Sequence, residues 1–466
     1  MPVDHAHSRH RTGDNRRSFA RLRHYMSQHI RYEVIGLIFL VMSINQADRA
    51  TMSIASTPMS AELHLNHLQL GWMFSAFAWA YMLFQIAGGW ALDRFGARRT
   101  YTAAIMLWSV FTAAVAFAPM FSAQTASALI FALVFLIGVA AAPCFPANSK
   151  IVSAWFPTAE RGTASAIFNA TQYFAAAVFT PLLALLAVTL GWRSIYYVMG
   201  GIGIAAGLLF GYRMKSPSNH PRLTREEREV MVDGGATLHM EGRHDQAEPQ
   251  TAPTDSAEAD STSRKFRRLL GSRKLLGIYF AQYCISTLTF FFLTWFPVYL
   301  VQARHLPLLR AGILASVPAV CGFLGGILGG LISDWLLRRG HSLTISRKIP
   351  IYAGMLMSSA IIGCNYVNVD WLVVALMAVA FFGKGFGALG WAVIADTSPV
   401  NATGLNAAVF NTFSSLAGIT TPIAIGFLVQ TMDSFDGALV YVGVHALLAI
   451  VSYAFVVGPI RRMEPV

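Results

Sequence analysis

Asp48 and Arg49 stand next to each other inside an otherwise apolar stretch of the chain. A charge at membrane depth costs about 2.5–3.5 kcal/mol on insertion scales, so such residues are functional by default. Arg49 is suited to bind a carboxylate through two parallel hydrogen bonds, and Asp48 is suited to carry a proton. Asn45 precedes them by three and four residues, which predicts that all three side chains share one helix face. A structural ion pair between Asp48 and Arg49 is the alternative interpretation.

Further polar side chains recur inside apolar segments and suit a polyhydroxylated ligand. Buried amides and hydroxyls also join helices in ordinary packing, so each of these residues has that alternative role. With Arg49 and Lys384 set against Asp48, a shared cavity would carry net positive charge, which favours an anion. The candidates for substrate binding are Arg49, Tyr81, Gln85, Asn169, Gln172, Gln282, Lys384, Trp391 and Asn411.

The composition of the chain indicates a membrane protein. Of its 466 residues, 55% are hydrophobic and 12% are charged, whereas a soluble domain carries about 25% charged residues. The net charge of +12 does not indicate nucleic-acid binding, because the basic clusters fall in every second connection between apolar segments. That alternation follows the positive-inside rule. It predicts a multi-pass protein of the inner membrane with both termini in the cytoplasm.

Apolar segments long enough to cross a bilayer, about 20 residues each, occur twelve times in two groups of six. The sequence therefore predicts an all-α membrane protein with twelve transmembrane helices. Their approximate bounds are 34–56, 69–92, 101–118, 125–147, 162–190, 194–212, 275–302, 311–336, 349–366, 371–395, 405–430 and 437–457.

The two groups of helices repeat each other in sequence. Gly162 and Phe168 recur as Gly404 and Phe410, each 242 positions later. Two pseudo-symmetric six-helix bundles with the cargo between them at mid-membrane are the plan expected for such a repeat. The predicted parts are a basic cytoplasmic tail (1–32), an N-terminal bundle (33–213), a cytoplasmic linker (214–274), a C-terminal bundle (275–460) and a cytoplasmic C-terminus (461–466).

The linker carries one local structure signal. Thr224 and Glu227 have the spacing of a capping box, which predicts a short surface helix from Arg225. We expect disorder in residues 237–263 and in the N-terminal tail, because both are polar or charged and poor in apolar residues.

The connection after the second predicted helix resembles the signature loop of the major facilitator superfamily. Its residues are Gly89, Asp93, Arg94, Arg98 and Arg99, and a weaker second copy contains Asp334. Small residues allow helices to approach closely, and Asp93 can accept hydrogen bonds at a helix N-terminus. The resemblance implies a gate that latches the outward-open state. The alternative is that the charged residues of this loop only fix the orientation of the helices in the membrane.

Longer stretches resemble the anion:cation symporter family. They are residues 45–53, 71–81 and 154–169 in the first half, and 294–300 and 387–391 in the second. The likeness is to the hexarate and hexonate branch, the glucarate, galactarate and galactonate permeases. It implies the major facilitator fold and an importer of a sugar acid by proton symport.

The resemblance also assigns roles to individual positions. It implies that Arg49 and Tyr81 contact the sugar acid, and that Asp48 is a proton site. The positions matching Gln172, Trp391 and Asn411 are implicated in substrate binding in the same way.

The fourth predicted helix departs from the family. Where relatives usually carry an arginine and, seven residues later, a glutamate, this chain has Val134 and Ala141. Loss of both leaves the net charge unchanged, whereas loss of one would strand a charge in the membrane. Asp48 is then the only acid well inside a predicted helix. The departure argues against coupling to two protons and favours one proton per anion or an uncoupled uniporter.

We therefore expect a monomeric transporter whose partners are an organic anion, a proton and the lipid bilayer. The alternatives are a uniporter or exporter of another carboxylate, such as an aromatic acid or tartrate, and a membrane sensor that binds without transporting. We expect no enzyme activity, cofactor, metal or nucleic acid, because the sequence has no metal-ligand spacing, nucleophile elbow or phosphate loop.

Overall fold

The computed structural model describes residues 9–157, 160–241, 264–399 and 402–464. Within these residues the secondary structure is helical and contains no strand. Twelve helices are long and apolar enough to cross a membrane, six on each side of the central linker. The prediction of a twelve-helix membrane protein is confirmed.

The N-terminal half contains the first six spans. A transmembrane segment must satisfy its own backbone hydrogen bonds, which is why these apolar stretches are helices. The helices are α1 (Arg9–Leu63), α2 (His67–Phe95), α3 (Ala97–Val115), α4 (Ala123–Ala141), α5 (Cys144–Trp155), α6 (Arg161–Leu190) and α7 (Trp192–Arg213).

The linker and the C-terminal half follow. The linker contains α8 (Arg225–Asp233) and a short helix α9 (264–271). The C-terminal helices are α10 (Arg273–Phe290), α11 (Phe296–Gln302), α12 (Leu308–Arg338), α13 (Leu343–Ser358), α14 (Asp370–Phe386), α15 (Leu389–Thr397), α16 (Thr403–Met432) and α17 (Asp436–Val451).

The fourth, seventh and tenth spans are interrupted within their length, which was not predicted from the sequence. The ninth and twelfth spans end in a 3-10 segment, Ser359–Tyr366, and a π-helical turn, Ser452–Val456. The fourth span breaks between α4 and α5 at Pro143, which has no N–H to donate. The tenth breaks between α14 and α15 at Gly387 and Ala388. The seventh contains a π-helical turn, Phe291–Trp295, between α10 and α11. Discontinuous helices and π-turns commonly mark binding sites in membrane proteins.

The two halves meet tightly at one end of the molecule, here called the closed end. This end carries the connections 64–66, 303–307 and 433–435. The Ser53 hydroxyl donates to the Thr294 carbonyl oxygen across the halves at 2.6 Å. Nearby, the His67 ring lies 3.0 Å from the Gln302 amide oxygen.

The opposite end carries the basic loops and is here called the basic end. Two ion pairs among its described residues each lie within one half. Lys150 pairs with Asp93 at 3.5 Å in the N-terminal half, and Arg347 pairs with Asp396 at 2.9 Å in the C-terminal half. Among these described contacts, the ones that join the two halves lie at the closed end.

The first part of the linker packs on the basic end of the N-terminal half. The predicted capping box is confirmed: the Glu227 N–H donates to the Thr224 hydroxyl, and the Thr224 N–H to the Glu227 carboxylate. Residues 237–241 are not disordered as predicted, since the Thr237 N–H donates to the Ser153 carbonyl at 3.0 Å. Residues 242–263 lie outside the described part of the chain.

The first helix is longer than predicted. It begins at Arg9, so the described part of the basic tail continues the first transmembrane helix instead of forming the disordered segment that composition indicated. Residues 1–8 lie outside the described residues.

Candidate substrate-binding site

A cavity lies between the two halves. It is bounded by α1 and α6 of the N-terminal half. On the C-terminal side it is bounded by α10, the π-helical turn, α11, α12 and α14. Its volume is about 90 Å³, and a water needs about 10–15 Å³ by the same measure, so several waters fit. The lining residues are Gln46, Arg49, Ala50, Ser53, Gln172, Tyr173, Ala176, Thr180, Thr289, Phe290, Phe292, Leu293, Pro297, Ala315, Pro318, Ala319 and Phe381.

A contact between the two halves bounds the cavity on its closed-end side. Ser53, which lines it, makes the contact with Thr294 that seals the closed end. On α6, Gln172 lines the cavity, and Asn169 lies about one turn nearer the basic end and is exposed. Residues three apart share a helix face, so the exposed face continues from the cavity toward the basic end.

Arg49 is the cation of the N-terminal wall. Its guanidinium lies 4.4 Å from the centroid of the Phe77 ring, and its Nε is buried without a hydrogen-bond partner among the described residues. Tyr81 extends this aromatic group, with its ring stacked 5.8 Å from that of Phe77. Among the described residues, Arg49 therefore contacts an aromatic face and no acid, which leaves its charge available to an anion.

Asp48 occupies a different environment from Arg49. Both of its carboxylate oxygens are buried and have no hydrogen-bond partner in the described part of the chain, and Asp48 does not line the cavity. Tyr196 of α7 reaches this side of α1, since its hydroxyl donates to the sulfur of Met52, one turn after Asp48. A carboxylate buried in this way is costly unless it takes up a proton or a cation.

The expectation that Asn45, Asp48 and Arg49 share one face is met only in part: Arg49 lines the cavity, whereas Asn45 and Asp48 do not. Asp48 and Arg49 are consecutive residues and therefore lie about 100° apart around the helix. The alternative of an ion pair between Asp48 and Arg49 is also not seen within the described residues, where neither Asp48 oxygen has a partner.

Lys384 lies at the edge of the same cavity, on the C-terminal side. It is 8% exposed, and its Nζ lies 5.4 Å from the ring centroid of Tyr173 and 5.0 Å from that of Phe381. Both rings line the cavity. Tyr173 belongs to the N-terminal half, so Lys384 sits where the two halves face each other.

The other predicted residues of the C-terminal half lie behind or beside the cavity lining. Gln282 is buried and donates to the Ser286 hydroxyl at 3.3 Å, and its own amide oxygen has no partner among the described residues. Trp391 is 47% exposed and packs edge-on against Phe410 at 4.8 Å. Asn411 is half-buried on α16, next to this pair.

The predicted residues of the N-terminal half divide in the same way. Gln172 lines the cavity, whereas Asn169 and Gln85 do not. The Asn169 amide donates back to the Ser165 carbonyl oxygen at 2.8 Å, a local bond within α6. Gln85 is half-buried on α2, one turn after Tyr81. The structure thus brings Arg49 and Gln172 into the lining and places Lys384 at its edge.

The predicted gate residues lie at the basic end, and the contacts described for Asp93, Arg98 and Asp334 each lie within one half. Asp93 pairs with Lys150, and the Arg98 guanidinium donates to the Gly211 carbonyl oxygen, both within the N-terminal half. Asp334 lies 3.8 Å from Arg347 within the C-terminal half. Gly89 and Arg94 are at the end of α2, and Arg99 is exposed near the start of α3.

Sequence reasoning missed several polar lining residues. Gln46, Ser53, Tyr173, Thr180 and Thr289 line the cavity, and the sequence analysis named none of them as candidates. The spacing could have found all five, because each lies on or near the helix face of a predicted residue. Ser53 is four residues after Arg49 and Gln46 is three before it, while Tyr173, Thr180 and Thr289 are four, eight and seven residues after Asn169, Gln172 and Gln282.

Within the described residues, no group of three or more His, Cys, Asp and Glu side chains is placed to hold a metal ion. The lining instead offers one guanidinium, amides, hydroxyls and aromatic rings, with an ammonium at the edge. A cavity of this chemistry between two six-helix halves defines a solute carrier.

Comparison with known proteins supports this class. The sequence profile of the Major Facilitator Superfamily matches residues 38–346. The chain therefore belongs to the Major Facilitator Superfamily, whose members are transporters and not enzymes.

The relatives are more specific. The probable galactarate/D-glucarate transporter GudP of Escherichia coli K12 is 50% identical over 434 residues, covering 93% of this chain and 95% of that protein. The D-galactonate transporter of Escherichia coli O6:H1 is 36% identical over 433 residues, covering 93% of this chain and 97% of that protein. The resemblance to hexarate and hexonate permeases is confirmed.

Solved structures share the fold. A bacterial homolog of the human lysosomal transporter Spinster, in an inward-facing and occupied conformation, superposes with a TM-score of 0.69 at 15% identity, covering 91% of this chain and 96% of that one. A D-xylose-proton symporter superposes with a TM-score of 0.69 at 14% identity, covering 92% and 98%.

Proposed function

We propose that this protein imports a sugar acid anion, of the glucarate, galactarate or galactonate type, across the inner membrane by proton symport and alternating access. The observation that carries the proposal is Arg49, a cation that no acid pairs with in the described structure and that lines a cavity between the halves. The names of the relatives support the substrate class.

The lining suits a hydroxylated acid. The Arg49 guanidinium can bind a carboxylate through two hydrogen bonds. Gln46, Gln172 and Thr289 can exchange hydrogen bonds with hydroxyl groups, and the Phe290 and Phe292 rings can cover the C–H faces of the carbon chain.

Alternating access requires two states that expose the same site at opposite ends. The state in hand is sealed at the closed end by the contact of Ser53 with Thr294 and opens toward the basic end. We assign the basic end to the cytoplasm because it carries the basic loops, as the positive-inside rule expects. On that assignment this is the inward-facing state, with both termini cytoplasmic. In the outward-facing state, Asp93 and the neighbouring arginines would exchange their contacts within one half for contacts across the halves.

Proton coupling is assigned to Asp48. Its carboxylate is buried without a partner in the described residues, and a proton would remove the charge that makes this position costly. Val134 and Ala141, both buried in α4, supply no second acid. One proton per anion is therefore the stoichiometry proposed, and the protein would work as a monomer because each chain contains both halves and one complete cavity.

The test is uptake of labelled glucarate, galactarate and galactonate into proteoliposomes, with and without an inward proton gradient. Accumulation that needs the gradient, and that Asp48→Asn abolishes while leaving exchange of internal and external substrate, is the expected result. Equilibration that ignores the gradient would contradict proton symport and indicate a uniporter. Binding of the three acids without uptake would indicate a sensor.

A further inference from the structure

Lys384 differs from two other cations of the C-terminal half, buried Lys348 and half-buried Arg347. The Lys348 ammonium donates to the Tyr453 carbonyl oxygen at 2.5 Å, and Arg347 pairs with Asp396 at 2.9 Å. Lys384 is 8% exposed, yet the described residues offer it neither an acid nor a hydrogen-bond acceptor. It is held instead by the rings of Phe381 and Tyr173.

The end of α14 explains how the fold tolerates this ammonium. The helix stops two residues after Lys384, and the Gly387 N–H donates to the Lys384 carbonyl oxygen at 2.9 Å. The C-terminus of a helix carries partial negative charge, which stabilises a cation in the last turn. Two aromatic faces add a cation–π attraction. These terms hold the ammonium at the cavity edge without neutralising it.

Arg49 and Lys384 therefore border one cavity from opposite halves. Arg49 projects from α1 and Lys384 from α14, and the ring of Tyr173 lies in the lining beside Lys384. A ligand with a single carboxylate can neutralise only one of the two cations. A ligand with a carboxylate at each end can neutralise both.

We propose that Lys384 is the second carboxylate-binding residue of this site, and that it makes the protein select dicarboxylates over the matching monocarboxylates. This inference rests on the proposed function. One end of a hexarate binds Arg49 of the N-terminal half, and the other end binds Lys384 of the C-terminal half. The dianion then links the two halves, so its binding favours the state in which they close around it.

The experiment compares galactarate, which has two carboxylates, with galactonate, which has one, in proteoliposome uptake. A hydrogen-bonded charge contributes enough to binding that its loss lowers affinity about tenfold or more. Lys384→Gln is expected to raise the KM for galactarate by that factor and to leave the KM for galactonate within about twofold. Lys384→Arg is expected to restore the preference, because it restores the charge.

The controls separate the two proposals. Retained galactonate uptake shows that Lys384→Gln is folded, and Lys384→Met serves as a second neutral variant. Arg310→Gln changes an exposed arginine at the closed end and is expected to leave the ratio of the two KM values unchanged. Equal loss of both acids, or no change in their ratio, overturns the role of Lys384 alone. Failure of the wild-type protein to transport either acid overturns the proposed function itself.

Discussion

Replacing Gly71 by alanine should open the closed end. Gly71 of α2 faces α16, and a Cβ atom at this position would lie 2.6 Å from the Pro422 carbonyl oxygen and 3.2 Å from the Ile423 Cα. Both are backbone atoms, which cannot rotate away as a flexible side chain can. On the other helix, Gly426 is packed as closely, since its Cβ would lie 2.6 Å from the His67 carbonyl oxygen.

The magnitude follows from the cost of overpacking. An added methyl group in a packed interface costs about 1–3 kcal/mol. That cost falls on the state closed at this end and not on the state in which the helices have separated. A difference of this size changes the ratio of the two states by about 5- to 150-fold.

The assay is the distance between two spin labels across the closed end, measured by double electron–electron resonance. Labels at Ala61 and Thr431, both exposed, would be placed in a background without the four native cysteines. Gly71→Ala should increase the population at long distance. The matched control is Gly201→Ala on α7, where a Cβ would meet no atom within 4 Å. Identical distance distributions for the two variants would refute the reasoning.

Two further predictions concern the linker on the basic end. Trp155 is fully buried, and its ring lies 5.4 Å from that of His220. Trp155→Ala should therefore destabilise the fold by about 3–5 kcal/mol, which a lower unfolding temperature of the purified protein would show. An unchanged unfolding temperature would contradict this packing. Burial and the nearby charges of Arg222 and Lys215 hold the pKa of His220 below its ordinary value. The folded state therefore resists protonation, and docking of residues 216–241 should weaken as the pH falls below about 6.5. The hydrogen-exchange rate of this segment, corrected for the intrinsic rate, should rise at acid pH. In His220→Gln the exchange rate should depend less on pH, and an equal rise in both proteins would show that His220 does not control this docking.

Much of the fold could be predicted because lipid imposes a simple rule on sequence. Each span must be a helix of about 20 apolar residues, so the number of spans and their two groups could be counted directly. The breaks at Pro143 and Gly387 were not predicted, because both residue types also occur inside continuous transmembrane helices. Pro181 and Pro422 lie within the uninterrupted helices α6 and α16.

The site was predicted less completely, for a physical reason. In a membrane the apolar residues that face lipid and those that face a cavity look alike, so periodicity does not identify the cavity wall. Charged residues stand out, which is why Arg49 and Lys384 could be found. Phe292 and Phe381 also line the cavity, but they are apolar and cannot be told from lipid-facing residues in the sequence. Asn45 lies three and four residues before Asp48 and Arg49, and that spacing predicts one shared face. It does not tell which of the two charged side chains, about 100° apart around the helix, lines the cavity.

The central claim is that Arg49 binds the carboxylate of the cargo between the two halves. The most direct measurement is exchange of labelled for unlabelled galactarate across proteoliposome membranes without any gradient, which reports binding and alternation but not coupling. Arg49→Gln should abolish this exchange, while Arg310→Gln, which removes the same charge at an exposed position outside the cavity lining, should keep it. Exchange at the wild-type rate in Arg49→Gln would contradict the account.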